Sequence, residues 1–424
     1  MRPNGATGRR GATIATVVLG VGLGVAIWRT TPWSVLPVPP GGYVRPTLSP
    51  YFTAAQQARD DAFHAATAFG TYGGLVAGLL IAAVVGFTPL GARIIAAVAR
   101  PLGGGWAWQA LLGSIALALL GQLVTLPFSA YTETVLRRYG LSTEHWPGWW
   151  SDVGKGFAIN AGVSALVVLG LYAVVRATPR TWFLWAAAGG AALVVVGSFV
   201  YPLVIEPVFN NFHAMAPGPL RASLLQLAHK DGVPVRQVLV SDASRRTTEL
   251  NAYVSGFGSS RRIVVYDTLL KHTPPGQIRL IVAHELGHAK RNDVLTGTLV
   301  GALGVAAGCC LLYLVISWPP LLRRAGVRAA ADTRSLGLLL ALVAFGSFLS
   351  APVQNVISRH IEARADVHSL ELTHDPQTFI KMQERLAVVD LSDLDPSRFA
   401  YLWFDTHPTG PQRISLARDW ERLH

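Results

Sequence analysis

The sequence predicts a mainly α-helical polytopic membrane protein with seven transmembrane helices, and three observations support this fold class. Of the 424 residues, 51% are hydrophobic and only 14% are charged, and the mean hydropathy is +0.38, outside the usual balance of a soluble globular protein. Segments without a charged residue recur, each near the ~20 residues that cross a bilayer as a helix. Tryptophans lie at the segment edges, as in WPGWW at 146–150, where amphipathic rings are stable at headgroup level.

The uncharged segments give seven predicted spans: residues 11–28, 69–87, 107–130, 157–175, 181–205, 294–318 and 335–357. The first span follows Arg9 and Arg10, a pattern that is also typical of a signal peptide. No small-residue cleavage site follows this segment, which ends GVAIWRTTP. We therefore interpret the first span as an uncleaved membrane anchor.

Two regions with polar residues lie outside the predicted spans. The first contains a helical pattern, GPLRASLLQLAHKDG, and then the strand-like sequences QVLVSD and RRIVVYD with NAYVSG between them. Another helix is predicted in TPPGQIRLIVAHELGHAKRND, with Thr273 as its cap and Pro274 at its first position, running straight into the sixth span. The predicted organisation is a five-span membrane region, an α+β region, a two-span hairpin and a C-terminal tail: residues 1–205, 206–293, 294–357 and 358–424.

The formal net charge of +12 raises the question of a nucleic-acid partner, which requires a basic patch on a soluble face. The basic residues are instead scattered as Arg-Arg pairs, and only five are lysine. This pattern indicates an arginine-rich composition with charges that flank the membrane. We therefore predict membrane lipids as neighbours and no nucleic-acid partner.

The sequence IVAHELGHAKRND, residues 281–293, places a polar cluster beside a span. Histidines four residues apart lie on one helical face, so His284 and His288 can present ring nitrogens to one zinc ion, with Glu285 beside the metal to act on its water. The alternative is a solvated helix face with accidental histidines, which does not explain two histidines and a glutamate between apolar segments. The residues favour a zinc site.

A catalytic zinc ion with two histidine ligands needs a third protein ligand and leaves the fourth position to water. The sequence RHIEARADVHSLEL after the seventh span offers Glu362 and Asp366, four residues apart on a predicted helix. One can bind the metal while the other accepts a hydrogen bond from the far ring nitrogen of a zinc-bound histidine. A helix face of exposed salt bridges is the alternative. Nearby histidines are rival ligands: His360, His368 and His374.

HELGH, then a membrane hairpin, ExxAD and THPTGPQRI together resemble the CAAX prenyl endopeptidase family of integral-membrane zinc metalloproteases with seven spans. EPVFNNF and NAYVSG match as well. The motifs cover about residues 200–420, and the earlier half matches only in its number of spans and general character. The resemblance implies peptide-bond hydrolysis, zinc as the cofactor, and spans that enclose a water-filled chamber lined by a small α+β zinc-metalloprotease domain.

The resemblance also assigns roles to the polar cluster. It implies zinc ligands at His284, His288 and Glu362, with Glu285 as the general base. Asp366 is implied to lie behind a zinc-bound histidine, as a hydrogen-bond acceptor.

Three more residues are implied to act on the substrate. His407 and Arg413, in HPTGPQR, match positions that contact substrate near the metal: His407 can donate a hydrogen bond to the oxyanion, and Arg413 can hold a carboxylate or carbonyl group. Asn251 and the NAYVSG strand resemble an edge strand along which such proteases align a peptide. A turn residue before Pro408 is the alternative interpretation of His407.

The expected substrate is a peptide or membrane protein, including a lipidated one. The family name implies cleavage beside a prenylated cysteine, but no feature of the sequence identifies a prenyl pocket. Quality control of the kind performed by heat-shock membrane proteases is therefore an alternative, although those proteases have fewer spans. An intramembrane site-two protease is disfavoured because only LDP, at 394–396, resembles its third-ligand motif. A transporter or structural protein with an incidental metal site is the remaining alternative.

Two kinds of evidence disagree on membrane orientation. Arginines in the short loops place the amino terminus in the cytoplasm and HELGH outside. The resemblance implies a zinc site that opens toward the cytoplasm from a bacterial plasma membrane, and we follow it because basic residues on the opposite side make the charge difference small. The sequence predicts no oligomeric state.

Overall fold

The computed structural model describes residues 4–256 and 258–424. This part of the chain is mainly helical, with one small sheet. Seven of its helices are long and apolar enough to cross a membrane. The predicted fold class and the predicted number of spans are both confirmed.

The amino-terminal half is helical, with a π-helical segment, Tyr201–Ile205, between its last two helices. The helices are α1 (Asn4–Thr30), α2 (Ala54–Phe87), α3 (Leu90–Ala99), α4 (Trp106–Tyr139), α5 (Trp146–Ala177), α6 (Trp182–Val200) and α7 (Glu206–Phe209).

Helices α2 and α4 are longer than the bilayer requires. Each has 34 residues, or about 50 Å at 1.5 Å per residue, against a hydrocarbon core of about 30 Å. Helix α2 begins at a capping box in which Thr53 and Gln56 exchange hydrogen bonds. Helix α4 ends at Gly140, whose φ of 78° suits a residue without a Cβ. The predicted span 69–87 is therefore only the second part of α2, and the polar first part extends out of the apolar region.

A four-stranded sheet lies in the predicted α+β region, residues 206–293. Its elements in chain order are β1 (Phe212–Ala214), α8 (Pro219–Lys230), β2 (Gln237–Ser241), β3 (Ala252–Ser255), β4 (Arg262–Tyr266), α9 (Asp267–His272) and α10 (Pro275–Arg291). The strand order is β1-β2-β4-β3, with β2 and β4 parallel and the outer pairs antiparallel. The predicted strands are confirmed, and β3, within NAYVSG, lies at an edge of this sheet.

The remaining helices form two further membrane helices and the C-terminal tail. They are α11 (Asp293–Ile316), α12 (Pro319–Arg324), α13 (Leu336–Thr373), α14 (Pro376–Asp390), α15 (Arg398–Trp403) and α16 (Gly410–Leu423). Helix α13 has 38 residues, so the same helix that crosses the membrane continues to the ExxAD residues.

Two predictions about α10 are wrong. The helix begins at Pro275, with Pro274 as its cap residue, and the side chain of Thr273 makes no capping bond. The helix also does not run straight into the sixth span, because Asn292 adopts a left-handed conformation with φ 55°, which asparagine tolerates better than most residues. The chain therefore changes direction between His288 and Asp293.

The two halves of the molecule have separate apolar cores. The sheet packs with α10, α13, α14 and α16 around residues such as Ile263, Ile278, Leu286 and Phe379, each at most 1% exposed. The membrane helices pack around a second core that includes Tyr172 and Ile316, while many aliphatic side chains on their outer faces are exposed. Such a broad apolar surface is expected where helices face lipid.

A cavity of about 840 Å³ lies between the two halves. The membrane helices α2 and α4 contribute Tyr72 and Glu133 to its wall. Helix α10 contributes His284 and Glu285, and the C-terminal tail contributes His407. The expected chamber lined by the HELGH residues is therefore present in the described structure.

Candidate metal centre

Helix α10 places the two histidines of HELGH side by side. The Nε2 atoms of His284 and His288 lie 3.2 Å apart, as expected for positions one turn apart on a helical face. His284 is buried and His288 is half-buried, because the apolar side of α10 faces the core with Ile278 and Val282. The helix thus fixes two ring nitrogens at the edge of the cavity.

Helix α13 brings Glu362 to the same point. Its Oε2 atom is 3.1 Å from His284 Nε2, and its Oε1 atom is 3.5 Å from His288 Nε2. One ligand atom from each of these three residues lies within 4.8 Å of the others. The three predicted metal ligands are therefore brought together.

The far nitrogen of each histidine faces a carboxylate. His284 Nδ1 is 2.9 Å from Asp366 Oδ1, and His288 Nδ1 is 2.9 Å from Asp293 Oδ2. A carboxylate has no proton to donate, so each Nδ1–H donates and the Nε2 lone pairs point toward Glu362. This carboxylate–histidine arrangement orients imidazoles at metal sites.

Each of these carboxylates is in turn held by an arginine. Arg413 binds Asp366 through two nitrogens, with Nε 2.8 Å from Oδ2 and Nη2 2.5 Å from Oδ1. Arg364 donates to Asp293. Planar guanidinium groups suit such carboxylate pairs, so both imidazoles are fixed by a chain of charged partners.

The donor set fits a zinc ion. Two imidazole lone pairs and a carboxylate that converge within about hydrogen-bond distance repel each other unless a cation lies among them. Two nitrogens and one oxygen are a ligand set that zinc uses in catalytic sites, where a fourth position stays open. The open side here is the cavity that His284 lines.

Glu285 and His407 lie beside the three predicted metal ligands but do not belong to that group. Burial raises the pKa of Glu285 above its ordinary value, and the neighbouring histidines partly oppose this shift. His407 Nε2 is 3.2 Å from Glu362 Oε2, and its side chain is 57% exposed. Both residues line the cavity, so both face the space that a substrate would occupy.

The predicted substrate residues Asn251 and Arg413 both line the cavity. Asn251 precedes edge strand β3 and its side chain donates to Glu249 Oε1 over 3.3 Å. Arg413 is engaged with Asp366, so the structure gives it a positioning role. Its contact with substrate stays a prediction, as does that of Asn251.

The rival histidines lie elsewhere. The ring of His360 packs against Trp33, with ring centroids 5.3 Å apart, and His368 pairs with Asp231. His374 ends helix α13 with φ 51°. None of the three belongs to the metal-ligand group in the described residues.

Sequence reasoning missed Asp293 and Arg364. The sequence feature that could have revealed Asp293 is the preceding residue, Asn292. An asparagine after the last helical turn often adopts the left-handed conformation that ends a helix. The break lets Asp293 reach His288, five residues earlier. Arg364 lies between Glu362 and Asp366, on the helix for which a face of exposed salt bridges was the alternative interpretation.

Comparisons with known proteins agree with the fold and site. A family model described as Peptidase family M48 matches residues 217–421, and one described as CAAX prenyl protease N-terminal, five membrane helices, matches residues 50–211. With the seven membrane helices and the histidine–glutamate centre, these matches define a membrane-embedded metalloprotease that hydrolyses peptide bonds.

Relatives over most of the chain identify the family. The uncharacterized metalloprotease YhfN of Bacillus subtilis is 32% identical over 308 residues, 72% of each chain. The chain therefore belongs to peptidase family M48, and the resemblance to CAAX prenyl endopeptidases is confirmed. CAAX prenyl protease 1 of Saccharomyces cerevisiae is 25% identical over 319 residues, 70% of each chain. The crystal structure of Ste24p from S. mikatae shares the fold, with a TM-score of 0.75, 19% identity and coverage of 98% and 99% of the two chains.

Proposed function

We propose that this protein is a zinc-dependent endopeptidase whose metal is held by His284, His288 and Glu362. The observation that carries the proposal is the convergence of two Nε2 atoms 3.2 Å apart on one carboxylate. The hydrogen bonds from both Nδ1 atoms to Asp366 and Asp293 support it, because they leave the Nε2 lone pairs free to bind a cation.

The chemistry divides between the metal and the residues around it. Zinc bound there would lower the pKa of a water molecule toward ~7 and polarise the scissile carbonyl group. Glu285 faces the cavity and accepts the proton of the attacking water. The same carboxyl group then gives this proton to the leaving amine, as general acid.

The residues that line the cavity hold the substrate. His407 donates a hydrogen bond to the oxygen that becomes negatively charged as the carbonyl is attacked. Edge strand β3 pairs with the peptide backbone, with Asn251 at its start and Arg413 near the metal ligands. Arg413 also holds Asp366, which keeps His284 in its metal-binding tautomer.

The substrate is proposed to be a peptide segment of a lipidated or other membrane protein. Relatives are named CAAX prenyl protease 1, and the cavity between membrane helices and catalytic region can receive a chain that is attached to the bilayer. The proposed division of labour is the one expected from sequence: membrane regions at 1–205 and 294–357, and catalytic regions at 206–293 and 358–424.

The catalytic region is proposed to face the cytoplasm from a bacterial plasma membrane. A cysteine in place of the exposed Glu371 tests this orientation, since Cys309 and Cys310 lie within membrane helix α11. A membrane-impermeant maleimide is expected to label Glu371→Cys in inside-out vesicles only. Labelling in right-side-out vesicles alone would reverse the orientation.

The proposed chemistry is tested with Glu285→Gln. The variant is expected to retain the zinc content of wild type, because Glu285 is not a ligand, and to lose about 10²–10⁴-fold in kcat, the usual contribution of a general base. Zinc per chain and cleavage of a quenched peptide are measured in detergent, with farnesylated and unmodified forms of the peptide compared.

The matched control is Glu371→Gln, the same chemical change at an exposed position of α13. It is expected to behave as wild type. Full chelator-sensitive cleavage by Glu285→Gln would refute the role of this residue, and absence of zinc from wild type would refute the metal assignment. Equal cleavage of both peptides would identify general proteolysis rather than prenyl-dependent processing.

A further inference from the structure

A second group of side chains able to bind a metal lies beside the cavity and includes none of the HELGH ligands. We propose that Asp60, His64 and Asp393 bind a divalent transition-metal ion. Asp60 and His64 lie one turn apart on the polar first part of α2, and Asp393 follows α14. One ligand atom from each residue lies within 4.8 Å of the others.

The buried carboxylate of Asp60 lacks a hydrogen-bond donor for one oxygen. The residue is 4% exposed, and its Oδ2 atom accepts a hydrogen bond from the backbone N–H of Leu394 over 3.1 Å. Its Oδ1 atom makes no hydrogen bond although it lies 3.4 Å from His64 Nε2. A buried, charged acceptor without a donor is unfavourable, so this oxygen favours a positive charge beside it, which a protonated His64 or a metal ion would supply.

A neutral His64 ring has too few N–H groups to donate a hydrogen bond to every acceptor around it. Its Nε2 atom is 3.0 Å from the carbonyl oxygen of Leu391, and its Nδ1 atom is 3.9 Å from Asp393 Oδ2. A neutral ring has one N–H, which the Leu391 carbonyl takes, and the two aspartates then face an uncharged ring. A metal ion held by the two carboxylates and the unprotonated Nδ1 atom would supply the missing positive charge.

The ligand chemistry selects the class of ion. One imidazole and two carboxylates suit zinc and related first-row divalent ions, while magnesium and calcium prefer oxygen ligands alone. His64 and Asp393 are half-buried in the cavity wall, so an ion and one or two water molecules can enter from the cavity.

Such an ion would connect membrane helix α2 to the segment that follows α14. Residues 391–394 connect α14 to the segment that carries α15 and His407. Fixing them to α2 would hold this part of the cavity wall in place. The site is independent of peptide hydrolysis, because none of its three residues belongs to the HELGH centre.

The test counts metal ions in the full chain purified in detergent, stripped with a chelator and titrated with zinc alone. Wild type is expected to bind two zinc ions per chain. The double variant His284→Ala/His288→Ala is expected to bind one, and to melt at a higher temperature with zinc than without. Adding Asp60→Asn to it is expected to abolish the remaining site.

The matched control adds Asp61→Asn instead, at the exposed neighbouring position of α2, and is expected to leave one zinc ion. No zinc ion in the double variant would overturn the proposal and indicate a doubly protonated His64 between the two aspartates. The double-variant count decides the question even where Asp60→Asn prevents folding. Failure of the HELGH zinc site would lower the wild-type count to one and leave the double-variant count unchanged.

Discussion

The two histidines of the metal centre are supported by carboxylate–arginine pairs of the same chemistry but different burial. The inner pair behind His284 is Asp366 and Arg413, whose side chains are 0% and 14% exposed. The outer pair behind His288 is Asp293 and Arg364, whose side chains are 13% and 24% exposed. Both pairs orient an imidazole, but only the outer carboxylate, Asp293, retains partial access to water.

Burial determines what each pair contributes. In the inner pair, loss of one partner leaves a charge that water cannot reach, so the pair affects folding as well as metal binding. In the outer pair, water can replace a lost partner, so the effect on folding is small. The inner pair is therefore expected to hold α13 and α16 together, and the outer pair chiefly to orient His288.

The largest expected difference is in stability on loss of the arginine. Arg413→Gln leaves Asp366 buried without its bidentate partner and is expected to destabilise the protein by about 3–5 kcal/mol. Arg364→Gln removes the corresponding partner of Asp293 and is expected to cost about 1 kcal/mol or less. Thermal unfolding of both variants in detergent, at the same zinc concentration, measures the difference. Equal losses would show that burial does not separate the two pairs.

A smaller difference is expected in zinc affinity when the carboxylates are neutralised. Asp366→Asn and Asp293→Asn keep the side-chain shape but weaken the hydrogen bond from Nδ1, and such changes typically cost 10–100-fold in metal affinity. The effect of Asp366→Asn is expected at the upper end, about 100-fold, because no water can take the place of the lost charge.

Competition with a chelator of known affinity measures both constants. Glu371→Gln, on the exposed face of α13, is the control that should not change the affinity. A greater loss in Asp293→Asn than in Asp366→Asn would contradict the expected order.

The part of the site that could be predicted from the sequence is the part that local helical spacing determines. HELGH, Glu362 and Asp366 follow from helical spacing, because α10 and α13 are regular helices and their local periodicity fixes which side chains share a face. Asp293 could not be found this way, since its position depends on one left-handed residue, Asn292. Arg413 could be matched by resemblance, but its pairing with Asp366 depends on how α16 packs against α13, which spacing does not encode.

The fold shows a similar limit. Seven spans and three strands were predicted because hydropathy and alternation are local properties. The lengths of α2 and α4 were underestimated, since their polar ends contain charges and look like loops in a hydropathy profile. Those ends carry His64 and Glu133 into the wall of the cavity. Gln109, a polar residue within the predicted span 107–130, bonds the carbonyl oxygen of Gly104 and is not among the residues that line this cavity.

A third carboxylate extends the comparison because, among the described residues, no arginine pairs with it. Asp390 also lines the cavity, and its Oδ1 atom accepts a hydrogen bond from the backbone N–H of Leu250 over 3.0 Å. Burial raises the pKa of Asp390 to about 7, and the nearby Glu249 contributes to this shift while the hydrogen bond opposes it. Without a cationic partner, burial thus favours the neutral carboxyl group.

The smallest expected effect follows from that pKa. Between about pH 4 and pH 7 the folded state binds a proton at Asp390 that the unfolded state has lost, so stability falls as pH rises through this window and stays reduced above it. Asp390→Asn removes the titration and is expected to gain about 1–2 kcal/mol relative to wild type between pH 5 and pH 8. Unfolding is measured at both pH values, with the exposed Asp61→Asn as the control. A variant that parallels wild type would show that Asp390 is already ionised at pH 5, and that a buried carboxylate in this cavity needs no arginine to carry its charge.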